Sequence, residues 1–511
     1  MERSESFKTL SEMIHELAAA QPQHAALIQD TRQLSYAELD AMMDRVAVAL
    51  QRDEIAPGES IAICAATSLE YAIVFLGALR AGVAVAPIAP SSTPESIAGM
   101  IADSGAHIFF ADAEVSAALE GVRGSVAAAW VALDGAAHGR ALGDWLAPEG
   151  AEPKPVAITE AMPFNIIYSS GTTGAPKGIV QSHGMRFHHI MRAQSMGYGP
   201  SAVTLLSTPL YSNTTLVSFF PTLGLGGTAV LMKKFEAGAY LDLAQRHRAT
   251  HTMLVPVQYS RLMARPDFDS YDLSSFVMKF CTSAPFAAAL KADIIRRWPG
   301  GLIEYFGMTE GGGTCALIAH LFPDKLHTVG TPAPGHDIRL IDDDGKEVPR
   351  GEVGELVGRS PIMMNGYHNR KEQTDAATWI SPEGLAFIRT GDVGRYDADG
   401  FLELMDRKKD MIISGGFNVY PSDLEAVLRE HPDVADVAVV GVASAEWGET
   451  PVAFVVSRGA GADELRAFAN AKLGKTQRIS AVELIDELPR SHIGKVLKRE
   501  LRDSWVARTG G

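Results

Sequence analysis

Cysteine is scarce: three residues in 511, Cys64, Cys281 and Cys315, widely spaced and odd in number. That excludes a disulfide framework or a clustered zinc site and fits a reducing, cytoplasmic setting, with each thiol a small core residue. An excess of positive charge is missing too. At a formal −15 the chain is not a general binder of nucleic acid or of an anionic membrane surface. Any polyphosphate ligand must therefore be held by a local group of basic side chains. No apolar run reaches membrane length, because the most hydrophobic region, 61–90, is broken by Glu70, Arg80 and glycines. The polar start, Met1-Glu2-Arg3-Ser4-Glu5-Ser6, leads into an amphipathic helix and lacks a signal-peptide pattern. Internal repeats and low-complexity tracts are absent, apart from alanine-rich patches near 115–140.

What is present is an ordinary globular composition, 46% hydrophobic, in a chain too long for one core. Residues 8–110 alternate helical and strand patterns. Ser35 and Glu38 form a capping box that opens a helix to about residue 52. Short apolar runs at 61–64 and 83–88 flank a helical segment at 68–80, an order that implies a parallel sheet covered by helices. The rhythm returns at 203–206, 229–232, 252–255, 277–281 and 302–305. Loops after such strands gather along one sheet edge, where open α/β sheets bind ligands. From residue 328 the texture becomes antiparallel: 338–341 and 354–358, then 394–396 and 401–405, with Asp-rich turns between. The charged break Asp406-Arg407-Lys408-Lys409-Asp410 marks the expected domain boundary, 1–408 against 409–511. Beyond it a small α+β domain is expected, with helices at 422–430, 462–473 and from about 495, and strands at 434–442, 452–456 and 481–484. The fold class is thus α/β: a large N-terminal domain of stacked α/β subdomains with a β-rich subdomain, and a small mobile α+β C-terminal domain.

One stretch is built for anions. Tyr168-Ser169-Ser170-Gly171-Thr172-Thr173-Gly174-Ala175-Pro176-Lys177-Gly178 follows the apolar run 164–168 and holds three glycines, four aliphatic hydroxyls and a lysine. Glycine lets backbone N–H groups turn inward, hydroxyls donate to phosphate oxygens, and lysine adds a mobile charge. The spacing is not that of a Walker loop. Composition alone describes a flexible surface loop.

Its company changes that reading. Phe306-Gly307-Met308-Thr309-Glu310, Arg389-Thr390-Gly391-Asp392, Arg407 to Asp410, Ser414-Gly415-Gly416-Phe417-Asn418 with Pro421 to Glu425, and Pro489 to Lys495 with Leu497 to Leu501 follow in order. Together the six stretches resemble the adenylate-forming superfamily of acyl- and aryl-CoA synthetases, peptide-synthetase adenylation domains and firefly luciferase, and the chain is most similar to its acid–CoA ligase branch. The resemblance implies ATP, Mg2+ and coenzyme A, and a carboxylate that attacks the α-phosphorus, expels pyrophosphate and is then taken from AMP by a thiol. By resemblance, Thr172, Thr173 and Lys177 hold the departing phosphates, and Ser169, Ser170, Gly171 and Gly174 belong to the same cofactor-binding stretch. Thr309 donates to the α-phosphate, and Glu310 binds magnesium. Phe306, where tyrosine is usual, stacks on adenine beside Gly307. Asp392 accepts from the ribose hydroxyls with Arg407 assisting, and Lys495 reaches the carboxylate and α-phosphate. Lys409 is the implied hinge, Gly415 and Gly416 leave room for a pantetheine arm, and Trp447 matches a CoA-contacting position, with a core tryptophan as the competing reading. Taken singly, Thr309-Glu310 reads as a helix cap, Asp392 as a turn residue and Lys495 as a solvated lysine.

The match frays at Ser212, where relatives carry a gate histidine after Pro209-Leu210-Tyr211, and at Lys475-Thr476-Gln477, where Lys-x-Pro is usual. The acyl pocket of relatives corresponds to 207–219, 255–258, 281–286 and 308–314, including Tyr211, Ser212, Ser283, Ala284, Met308 and Gly311. These segments are apolar or small apart from Glu310, which favours a hydrophobic monocarboxylate over an amino acid. Gly311-Gly312-Gly313 is expected either to leave room for a long or bulky acyl chain or to serve a turn. The expected activity is an ATP-dependent acid–CoA ligase for a fatty or aryl acid. The alternatives are a stand-alone enzyme loading a carrier protein, disfavoured by the lack of an attached carrier domain, and a non-catalytic nucleotide-binding regulator. Partners are the acid, ATP and CoA, with no nucleic acid and no membrane span; a homodimer is left open.

Overall fold

A computed structural model describes residues 6–135, 138–169, 176–407, 410–414, 417–444, 447–474, 477–491 and 494–509, with Ser169, Asp406, Arg407, Phe417 and Asn418 described by backbone alone. Ser170, Gly171, Thr172, Thr173, Gly174, Lys409, Gly415 and Gly416 lie outside the described residues. The chain divides into two compact units: Met1–Leu326 with Pro332–Asp337 and Arg359–Ile388, and His327–Thr331 with Ile338–Gly358 and Arg389–Gly511.

The first unit is α/β, as expected, and its strands form two sheets, in line with stacked α/β subdomains. One sheet runs in the order Thr314–Ile318, Gly301–Gly307, Met278–Cys281, His251–Leu254, Val203–Leu206, Thr228–Leu231, Ala25–Gln29, Arg32–Ser35. The other runs Gly366–Tyr367, Lys177–Ser182, Pro163–Ser169, Ala84–Pro87, Ser60–Cys64, Ile108–Ala111, Ala129–Ala132, Arg140–Ala141. Strand periodicity reports only that each run is buried, not which sheet it joins.

The helices explain the division. Leu69–Arg80 is buried at ten of its twelve positions and Asn213–Gly224 at ten of twelve; a helix apolar all round needs protein on every side. Both belong to one hydrophobic core that also takes Leu27 and Leu231 from one sheet and Ile61 and Phe164 from the other. Phe75, Phe164 and Phe220 meet there at centroid distances of 6.3, 5.5 and 5.0 Å. At the edge of this core, Ser35 Oγ accepts from Glu38 N at 3.3 Å and Glu38 Oε2 accepts from Ser35 N at 2.8 Å, closing the capping box of Tyr36–Arg52. All three cysteines are fully buried and unpaired.

In the second unit, Gly354–Arg359 lies between Asp337–Ile341 and Ala386–Tyr396, which pairs in turn with Leu402–Arg407. Ala386–Tyr396 is one continuous strand whose first three residues count with the first unit. The 406–410 segment, expected to carry the boundary, falls within the second unit in sequence. A further sheet places Phe417–Val419, Ile412–Ser414, Gly448–Ser457 and Val434–Ser444 side by side, with Ala481–Leu484 parallel to Gly448–Ser457. The helices Pro421–Arg429 and Ala462–Asn470 supply Leu424, Leu428, Leu465 and Ala469 to its core. The last helix begins at Lys498, three residues later than expected. Lys495 sits in the turn before it.

Candidate active site

The glycine- and hydroxyl-rich stretch links two antiparallel strands. Ser169 pairs with Lys177 and Tyr168 with Gly178, so the strands on either side of residues 170–175 run antiparallel and the lysine stands on the returning strand. Gly178 is required by close approach: a Cβ there would lie 2.7 Å from Ile166 Cγ2. Lys177 Nζ lies 5.0 Å from the ring centroid of Tyr367, a cation–π distance. Tyr367 belongs to the edge strand Gly366–Tyr367, paired to the same returning strand opposite Ile179.

The other end of Tyr367 reaches the second motif. Its hydroxyl donates to Glu310 Oε1 at 2.9 Å, and burial, aided by the Glu310 charge, pushes that hydroxyl well above the usual tyrosine range and keeps it a donor. Lys177 and Glu310, 133 positions apart, thus address one aromatic ring. Gln181 Nε2, also on the returning strand, donates to the Thr309 carbonyl at 2.7 Å. The segment 360–364 clips on: Met364 N donates to the Glu310 carbonyl at 2.8 Å, and Ser360 Oγ donates to the Gly311 carbonyl at 2.7 Å. Thr309-Glu310 caps no helix, since the chain turns there and enters the strand Thr314–Ile318. Phe306 and Gly307 end the preceding strand, paired with Cys315 and Thr314, with Phe306 half-buried and Gly307 exposed. Neither Tyr367 nor Gln181 was singled out from the sequence. Their only local signal is alternation on short strands.

The expected acyl-pocket residues gather in the same unit. Ser212 caps the helix Asn213–Gly224, its Oγ accepting from Thr214 N at 3.3 Å. Where relatives place a gate histidine, this chain has a buried helix cap. Thr214 Oγ1 is 2.7 Å from Ser283 Oγ, and Ser283, at φ 83°, holds a strained backbone beside half-buried Ala284. Burial pushes the Tyr211 hydroxyl up to about 12. The glycine triplet does not open room. A Cβ on Gly311 would lie 1.8 Å from the Ile362 carbonyl oxygen, and one on Gly312 would lie 2.6 Å from Ile388 Cβ and 3.2 Å from Met308 Sδ. With Gly311 at φ 74° and Gly313 at φ 95°, these glycines serve a turn pressed against neighbouring chain.

In the second unit Asp392 and Arg407 are direct cross-strand partners, which places the two expected ribose-binding positions side by side. Within the strand, the Asp392 N–H donates to Thr390 Oγ1 at 3.0 Å, while Thr390 Oγ1 donates to the Leu356 carbonyl at 3.0 Å. Arg389 grips Glu355 with Nε and Nη2 at 3.1 and 2.7 Å. Lys495 projects from a tight turn in which Ser491 N donates to the Lys495 carbonyl at 2.8 Å and Lys495 N donates to Ser491 Oγ at 3.2 Å. Trp447 is half-buried at the end of the Val434–Ser444/Gly448–Ser457 hairpin, its N–H donating to Ser444 Oγ at 3.3 Å. It is not a core tryptophan.

No group of three or more His, Cys, Asp or Glu side chains suited to a metal is gathered among the described residues. Glu310 offers a carboxylate to the Tyr367 side chain that Lys177 also faces. One carboxylate fits magnesium that shares its shell with phosphate oxygens and water, and does not fit a protein-caged cation. No described helix is long and apolar enough to cross a membrane.

A sequence model described as AMP-binding enzyme matches residues 14–368, and one described as AMP-binding enzyme C-terminal domain matches residues 423–495. The chain is 32% identical over 521 residues to indoleacetate–CoA ligase of Aromatoleum aromaticum, covering 98% of this chain and 99% of that one. It is 30% identical to the fatty acid–[acyl-carrier-protein] ligase ScoC of Streptomyces coeruleorubidus, covering 96% and 95%. Among solved structures, the amide bond synthetase McbA from Marinactinospora thermotolerans matches with a TM-score of 0.86 at 30% identity, covering 97% and 99%.

Proposed function

Because the chain belongs to the AMP-binding, adenylate-forming enzyme family, we propose that it is an ATP-dependent acid–CoA ligase for a hydrophobic monocarboxylate, a fatty or aryl acid. The observation that carries this reading is the convergence on Tyr367. The lysine of the hairpin and the carboxylate of the Thr309-Glu310 turn address opposite parts of one side chain, the charge pattern a nucleotide phosphate chain requires. The substrate carboxylate attacks the α-phosphorus, forming a carbon–oxygen–phosphorus link as the bond to pyrophosphate breaks. The CoA thiol then attacks the acyl carbon, losing its proton, and AMP leaves. Fixed charge and positioning are what such transfers ask of a protein. Lys177 offsets charge on the leaving pyrophosphate, Thr309 donates to the α-phosphate, and Phe306 stacks on the base. Magnesium held by Glu310 and phosphate oxygens would neutralise charge there. Asp392 with Arg407 takes the ribose.

Lys495, Lys409, Gly415, Gly416 and Trp447 enter by motif rather than by distance. In this reading the C-terminal residues beyond a pivot at Lys409 bring Lys495 to the nucleotide for adenylation and Gly415-Gly416 for thioester formation. Three buried, unpaired thiols support a cytoplasmic setting.

The test is acid-dependent exchange of pyrophosphate into ATP across short, medium and long fatty acids, benzoates and cinnamates. Acceptor arms of CoA, a carrier protein and a simple amine follow. Exchange with at least one acid, and thioester released as free acyl-CoA, is expected. No exchange with any acid refutes adenylation, and product only on carrier or amine refutes the CoA assignment. Lys495→Ala should depress exchange far more than conversion of preformed acyl-adenylate. Equal losses would refute the two-geometry account.

A further inference from the structure

The helix His183–Ala193 carries an arginine that the site described so far does not use. Arg186 is 1% exposed, with its guanidinium carbon 5.8 Å from the Phe164 ring centroid and 5.3 Å from that of Phe220. Its Nε and Nη2 donate to Asn165 Oδ1 at 3.0 and 2.9 Å, and Nη2 also donates to Gln181 Oε1 and, at 2.9 Å, to Asn213 Oδ1. Nη1 has no partner among the described residues. All three acceptors are neutral amides. Burial lowers the guanidinium to about 9, so at neutral pH a cation sits in the interior with no carboxylate paired to it among the described residues. A space-filling role would be met at less cost by an apolar side chain.

The three amides belong to three elements that border the proposed site. Asn165 is on the strand entering the phosphate hairpin, Gln181 on the strand leaving it, and Asn213 is the first residue of the helix capped by Ser212. An arginine only donates, so each amide must turn its oxygen toward Arg186. For Gln181 this has a directional result. Its Oε1 is claimed by Arg186 and by Asn165 Nδ2 at 2.9 Å, which leaves Nε2 aimed at the Thr309 carbonyl 2.7 Å away. With the amide turned over, oxygen would face oxygen, and Thr309-Glu310 would lose its inner tether.

We propose that Arg186 is a positioning residue for adenylation: a donor-only hub that fixes the Gln181 amide and, through it, the Thr309-Glu310 turn, while tying the pocket helix to the same point through Asn213. The proposal rests on the adenylation reading above.

The test compares Arg186→Met, Gln181→Leu and the triple variant Asn165→Leu/Gln181→Leu/Arg186→Met. Each is scored for acid-dependent pyrophosphate exchange, for conversion of preformed acyl-adenylate to product, and for melting temperature. Exchange is expected to fall by about 30-fold or more in all three, since loss of orientation near 1 Å costs that order. Conversion of preformed adenylate should change by less than about 3-fold. The triple variant, which removes two of the three acceptors together with the donor, should melt above Arg186→Met alone. If Arg186→Met fails to fold, Gln181→Leu decides, because it breaks the tether and keeps the charge. Exchange at wild-type level in Gln181→Leu overturns the proposal, as do equal losses in both half-reactions that track a lowered melting temperature. Wild-type protein that exchanges with no acid at all removes the adenylation reading and this role with it. An active wild type with unaffected variants removes the role alone.

Discussion

Replacing Gly311 with alanine is the sharpest challenge to the geometry of the Thr309-Glu310 turn. The added Cβ would stand 1.8 Å from the Ile362 carbonyl oxygen, where real contacts essentially never fall below 3.0 Å, so the two backbones must part by about 1.2 Å. The approach is held by Ser360 Oγ on the Gly311 carbonyl, Met364 N on the Glu310 carbonyl and Tyr367 on the Glu310 carboxylate, at 2.7, 2.8 and 2.9 Å. All three are stretched by that separation. At about 1 kcal/mol net for each bond, plus about 1 kcal/mol for alanine in the left-handed region that Gly311 occupies at φ 74°, the variant should lose about 3–5 kcal/mol of stability. Activity should fall further than stability suggests. Displacing Glu310 by about 1 Å is expected to lower pyrophosphate exchange about 100-fold at temperatures where the variant is still folded. Denaturant midpoints and exchange rates on the same preparation test both. A variant with an unchanged midpoint and exchange within about 2-fold of wild type would show that the turn and the 360–364 segment do not press together as described.

Other outcomes follow from the same coordinates. Tyr367→Phe keeps the ring under Lys177 but removes the donor to Glu310, a bond to a charged group worth about 1.5–3 kcal/mol; exchange should fall about 10-fold or more, read from initial rates across a magnesium series. Lys291 and Glu304 form an ion pair at 2.5 Å with 2% and 6% side-chain exposure. Lys291→Met should destabilise by about 3–5 kcal/mol, and Lys291→Met/Glu304→Leu should recover most of that in thermal melts. His183 has no hydrogen-bond partner at either ring nitrogen, and burial lowers it from 6.5 to about 4. Unfolding below pH 6.5 therefore takes up a proton the native ring refuses, so stability falls as pH drops from 6.5 toward 4, at up to about 1.4 kcal/mol per pH unit, and is flat above. His183→Leu should flatten the acid limb of the denaturant midpoint between about pH 7 and about pH 5; an unchanged limb would refute it.

How far the sequence reached depended on the range of each interaction. The capping box at Ser35 and Glu38 is a three-residue affair, and strands such as Val203–Leu206 and Ala481–Leu484 match their expected limits, because both signals are local. Motif order identified the family, since Thr309, Glu310, Asp392 and Lys495 each sit in a short recognisable run. Sheet membership was invisible, as a buried strand reads the same in either sheet. So was Tyr367, which matters only because a two-residue strand pairs with Lys177–Ser182 from 190 positions away. Arg186 escaped for a related reason: a basic residue on a helix ordinarily faces water, and only the fold shows that this one does not. The glycine triplet left two readings open, room or a turn, and only the fold decides for the turn, because neighbouring chain fills the space beside Gly311 and Gly312.

The three cysteines all fall in the first unit, each wholly enclosed, with thiols that burial holds far above their usual ionisation range. A maleimide or disulfide reagent should therefore leave the folded enzyme untouched and react only when this region opens. Labelling kinetics would time the breathing of the α/β body alone, with the remaining segments contributing no background. A single cysteine placed among them would give their motions a reporter of their own.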